Sequence, residues 1–146
     1  MSHTSKVNRI VEQAVLVLSS IDSDLDPGTW KTKPNLVEHG LVLSSMISSP
    51  AILLQMVHQD DTPLGGPGKH RTTGRLGIRC VSDGVKEMND LIDDVQKALS
   101  RDDDDAKLGG EVMRSYTGAT IDAENPKDGM SIAYIEVGMI WDWSHD

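Results

Sequence analysis

VKEMNDLIDDVQKALS, Val85 to Ser100, decides the fold, because the segments before and after it read as strands that need a layer to pack against. Met88, Leu91, Ile92, Val95 and Leu99 recur at the spacing of one helical face, and Lys86, Asp90, Asp93, Asp94 and Lys97 take the other. Full burial of the five apolar side chains would contribute roughly 8–15 kcal/mol gross, at about 1.5–3 kcal/mol each, while an isolated helix of about this length is marginal in water. The helix must therefore dock. Ser82 or Asp83 can cap its first turn, and Glu87 near the start and Arg101 beyond the end suit the two poles of its dipole.

Working outward, Ser5 to Ser20 is a second amphipathic helix. Val7, Ile10, Val11, Ala14, Val15 and Leu18 lie on one face, and Thr4 or Ser5 can cap it. Ala51 to Gln59 is a short apolar run bounded by Pro50 and Asp60, which suits a buried strand. Thr72 to Ser82 alternates, with Leu76, Ile78 and Cys80 opposite Arg75, Gly77, Arg79 and Val81, so the two runs should pair as a hairpin. The Gly- and Pro-rich connection between them, residues 60–72, is far longer than a tight turn and is expected to project as an arm. Glu111 to Ile121 and Met130 to Trp143 read as a closing hairpin around the turn Asn125 to Gly129. Leu36 to Leu43 fits either a short strand or a helical turn, and Ser44 to Pro50 a loop. The expected fold is α+β: a mostly antiparallel β-sheet with a long-arm hairpin, packed against two amphipathic helices.

The 146 residues suit a single domain, 1–146, whose core must come from Val, Ile, Leu and seven Met, since Phe is absent and only three Trp and two Tyr occur. A formal net charge of −9 opposes general nucleic-acid binding, which relies on clustered Lys and Arg. With one cysteine, Cys80, no intrachain disulfide can form, and a reducing compartment with a buried structural thiol is expected. No stretch has the apolar run of a signal peptide or the ~18 residues needed to span a bilayer, so the expectation is a soluble, intracellularly made chain without membrane contact.

Local signatures of chemistry are scarce. The five His stand singly without metal-ligand spacing, no GxSxG occurs, and Cys80 lies inside a strand, so neither a catalytic residue, a metal nor a cofactor is expected. His58 reads as an outward-facing strand residue. Asp22, Asp24 and Asp26 have the spacing that opens an EF-hand, but Pro27 and Lys33 stand where its Gly and Glu belong. GGPGKH resembles a phosphate loop only in part: Pro63 replaces its first Gly, His70 replaces its Ser or Thr, and a strand follows instead of a helix. Lys69, His70 and Arg71 are better taken as a basic arm tip for an acidic partner surface. The run Asp102, Asp103, Asp104 and Asp105 in the loop 101–110 lacks the alternation that points ligands at one cation and reads as solvated surface, or as the acidic counterpart of the tip. Trp141 and Trp143 share one strand face, and either cap the chain's own core or form a subunit contact.

The order of elements resembles the tail terminator and tail-completion proteins of long-tailed bacteriophages. The resemblance rests on SKVNRIVEQAVLVL, SPAILLQMV with its long connection to GRLGIRCVSD, MNDLIDDVQKALS and the closing VMRSYTGATIDAENPKDGMSIAYIEVGMIWDW, from about Lys6 to Trp143. It implies a non-catalytic virion protein that forms a homo-oligomeric, six-membered ring on the tail tube protein, ends tube growth and meets the head–tail connector or stopper. DNA would pass through the lumen without specific binding. A head-completion adaptor in the neck is the alternative within viral structure. A small hydrolase or nucleotide-binding enzyme, its site assembled from distant residues, is the alternative of another class.

Overall fold

The computed structural model describes residues 5–40, 48–66, 68–99, 108, 111–116, 122–124 and 131–144. Helix α1 spans Lys6–Ser19, with Ser5 as its N-cap: the Ser5 hydroxyl accepts the Asn8 N–H at 3.0 Å. Helix α2 spans Val85–Leu99 and buries Met88, Leu91, Ile92, Val95, Ala98 and Leu99, the face expected from spacing. Its start differs from expectation. The Met88 N–H bonds the Gly84 carbonyl, and the Ser82 hydroxyl donates to that same carbonyl at 2.8 Å instead of capping an N–H.

The strands are β1 (Leu36–His39), β2 (Ala51–Pro63), β3 (Lys69–Ser82), β4 (Arg114–Tyr116), β5 (Asp122–Glu124) and β6 (Ser131–Ser144), in the sheet order β1-β2-β3-β6-β4, with β5 also on β6. Among the described residues only β1 and β2 pair in parallel and the other pairs are antiparallel, so the architecture is an open α+β sheet with both helices on one face. One alternation per strand faces them. Ile52 and Leu54 of β2, Leu76, Ile78 and Cys80 of β3, and Ala133, Ile135, Val137, Met139 and Trp141 of β6 join Ile10, Val11, Ala14 and Leu18 of α1 in one core. Burial pushes the Cys80 thiol up to about 12, which makes it inert packing. No helix among the described residues is long and apolar enough to cross a membrane.

One open reading is resolved and two expectations change. The segment at Leu36 takes the strand option. The span read as a projecting arm is mostly ladder: β2 runs on to Pro63 and β3 starts at Lys69, with Leu64, Gly65, Gly66 and Gly68 the described residues between them. The added length is held because β6 pairs along β3 as far as Lys69↔Ser144, making the arm three-stranded. The strand expected over Glu111 to Ile121 begins only at Arg114, with residues 117–121 outside the described ones, and β4 and β5 share β6 as partner, with Tyr116↔Gly138 and Asp122↔Tyr134 out of register by two residues. The turn Asn125 to Gly129 lies outside the described residues.

Asp94 departs most from its periodic placement. Although it falls on the polar arc of α2, it is 1% exposed and accepts hydrogen bonds from the Lys31 N–H (3.0 Å), the Thr32 N–H (2.8 Å) and the Thr32 hydroxyl (2.6 Å). The carboxylate thereby ties the segment after α1 to α2, with Trp30 buried beside it and Lys97 Nζ 5.8 Å from the Trp30 ring. A buried charge persists where several donors meet it.

Candidate functional site at the hairpin arm

Alternation along β3 sorts the arm residues onto two faces. His70, Thr72 and Gly74 share the helix side with their partners Trp143, Trp141, Asp61 and Gln59, while Lys69 and Arg71 lie on the other side with Asp142. The basic tip is therefore split between faces. Arg71 makes a two-pronged bond to Asp142 at 2.8 and 3.1 Å, and the hydrogen bond from the guanidinium, followed by its charge, holds the Asp142 carboxyl below its ordinary range. His70 Nδ1 lies 2.8 Å from Asp61 Oδ2. Lys69 and Arg71 are both exposed, and among the described residues Lys69 makes no ion pair, whereas Arg71 and His70 each face an aspartate.

On the helix side four residues close on one another. Trp143 Nε1 donates to the Thr72 hydroxyl at 2.8 Å, Thr72 donates to Asp61 Oδ1 at 3.1 Å, Asp61 holds His70, and the His70 ring stacks on Trp143 with centroids 4.3 Å apart. Activation of a nucleophile needs the hydroxyl proton to face the imidazole, and here it faces the carboxylate. The arrangement instead fixes the arm. Trp141 is 1% exposed and belongs to the core, whereas Trp143 is half-buried at its edge, so the two expected partners in a contact have separate roles.

A cleft of about 330 Å³ opens beside this network, lined by Ser5, Lys6 and Val7 at the start of α1 and by Gln59, Asp61, Thr72 and both tryptophans. Lys6 bridges to Glu111 at 2.7 Å, and this hydrogen bond is the main reason that the Glu111 carboxyl sits below its ordinary value. A wider hollow of about 700 Å³ near the start of α2 mixes Lys31, Lys33 and Lys86 with Asp83, Glu87 and Asp90, and so has no single sign of charge.

The remaining candidates are dispersed. His58 points outward and pairs with Asp60 at 2.7 Å. Asp102, Asp103, Asp104 and Asp105 lie outside the described residues. Among the described residues, no three His, Cys, Asp or Glu gather where they could hold a metal. The face away from the helices carries Arg75 on Glu136 at 3.2 Å, with the Tyr134 hydroxyl donating to the same carboxylate. Sequence reading missed the Thr72–Asp61 link, which only the register of β2 and β3 creates, and the start of α1 as a cleft wall.

No family model and no curated protein matches this chain. The structure is similar to a chain in a solved structure described as "Virion of native gene transfer agent (GTA) particle", at 11% identity and a TM-score of 0.56, covering 96% of this chain and 100% of that one. At that identity the likeness is one of fold.

Proposed function

We propose that this chain is a structural protein of a phage-like particle, and that it forms a ring, six-membered by the resemblance of its layout, on the end of the tail tube. There it stops tube growth and offers its opposite face to the head connector. The observation that carries the reading is the reach of the fold likeness, which runs nearly end to end in both this chain and the virion chain. The arm supports it: a three-stranded extension locked by Arg71–Asp142 and by the Trp143–Thr72–Asp61–His70 network is stiff enough to reach a neighbour without an ordering cost. Lys69 at its tip is the group offered to partner carboxylates. The net charge of −9 lets DNA pass without being held. A head-completion adaptor is the second reading, since the virion description names no position within the particle.

The test is polymerisation of purified tail tube protein with and without this chain. Shorter tubes with a ring at one end are expected. Unaltered tubes together with binding to the connector would move the protein to the neck, and binding to neither would sink the reading.

A further inference from the structure

The two ends of α1 carry surfaces that fit each other and do not fit themselves. At its C-terminal end, the turn Asp22 to Thr29 presents Leu25, which at 83% is the most exposed large apolar side chain among the described residues. The turn is rigid. Asp22 Oδ1 accepts the N–H groups of Asp24 (2.9 Å) and Leu25 (3.1 Å), the Asp22 carbonyl accepts that of Asp26 (2.9 Å), and Ser23 bonds the Thr32 carbonyl, next to the segment that Asp94 anchors. Leu25 is thus a preorganised knob flanked by the carboxylates of Asp24 and Asp26, and Asp24 pairs with Lys33 at 3.2 Å.

At the N-terminal end lies the tryptophan cleft, with Lys6 and the first turn of α1 on its wall. Its floor is aromatic, its volume is near the lower limit of about 300 Å³ for ligand pockets, and its wall carries the positive pole of the helix. Asp61 faces the cleft as well, but its two oxygens are engaged by Thr72 and His70.

We propose that the Leu25 knob of one copy seats in the cleft formed by Val7, Trp141 and Trp143 of the next copy, with Asp24 and Asp26 beside the positive pole at the start of α1, where Lys6 is already held by Glu111 at 2.7 Å. Knob and cleft are separated by the 14-residue helix, about 21 Å, and so lie on opposite sides of the domain. Such a contact is heterologous and propagates head to tail, closing to a ring where the rotation permits. The inference deepens the ring reading and rests on it.

The test is disulfide trapping between two single variants, Leu25→Cys and Val7→Cys, with self-association followed by sedimentation. Cys80 is fully buried and stays silent. Mixing the variants should give a crosslinked heterodimer that neither gives alone, and the double variant should give a ladder ending in a closed species. Leu25→Glu, at an exposed site, should keep the monomer folded and weaken self-association about 10- to 150-fold, the equivalent of one buried leucine. Crosslinking of Leu25→Cys with itself, or rings that form without the mixed crosslink, would overturn this contact and leave the ring reading standing. A chain that stays monomeric at millimolar concentration without any crosslink, both alone and on tail tubes, overturns both.

Discussion

Asp93 and Asp94 are neighbours on α2 and should respond to truncation very differently. Asp93 is exposed and makes a single ion pair with Lys31 at 3.0 Å, so Asp93→Ala should change stability by less than about 1 kcal/mol. Asp94→Ala strands two backbone N–H groups and a hydroxyl in a buried setting, and should cost about 2–4 kcal/mol. Urea midpoints of the two variants measure the contrast, and equal shifts would refute it. Gly74 is the second such position. A Cβ there would stand 2.6 Å from the Trp141 ring and 3.2 Å from Met56 Sδ, so Gly74→Ala should cost about 1–3 kcal/mol by overpacking, read as a lowered urea midpoint. Neither role is legible in the sequence. Periodicity assigns a residue to an arc of the helix, but it says nothing about which loop folds over that arc, and Asp94 is buried because the loop at Lys31 does so.

At the scale of elements, the clearest sequence signals were the two helices, since each has an uninterrupted 3.6-residue apolar stripe and a core to bury it in. The hairpin of β2 and β3 was equally legible in its apolar half. Its outer half was not, because Asp60, Asp61 and Pro63 carry turn-like composition, and only the third strand, β6, shows why they extend. The same composition explains how an edge such as the outer part of β2 avoids indiscriminate pairing: two Asp, a Pro and the irregularity between Met56 and His58 blunt it. The arm should loosen in acid. The folded-state values of Asp142 and Glu111 are held below their ordinary ones, so the stabilisation they contribute is complete above the ordinary carboxylate range and is lost as pH falls through the depressed values. Amide exchange at the ends of β3 and β6 should rise over that window, and Asp142→Asn should remove the part of the rise that belongs to Arg71. Protection that is independent of pH in the native chain would count against the ion pairs.

For the whole molecule, order and spacing of elements carried more information than any motif. The layered α+β fold followed from one-sided helices set among alternating strands, and the fold likeness extends over the whole layout at 11% identity. Contact surfaces were less legible. Of the residues singled out for a partner, His70, Arg71 and Trp141 are committed within the chain, whereas the Leu25 knob and the start of α1 gain meaning only from exposure and from their positions at opposite ends of one helix. The most direct measurement of the central claim is tail length, by electron microscopy of particles from a source lacking this gene, scored against particles that retain it. Overlong tubes with open ends are the predicted result. Tails of normal length joined to filled heads would contradict the account.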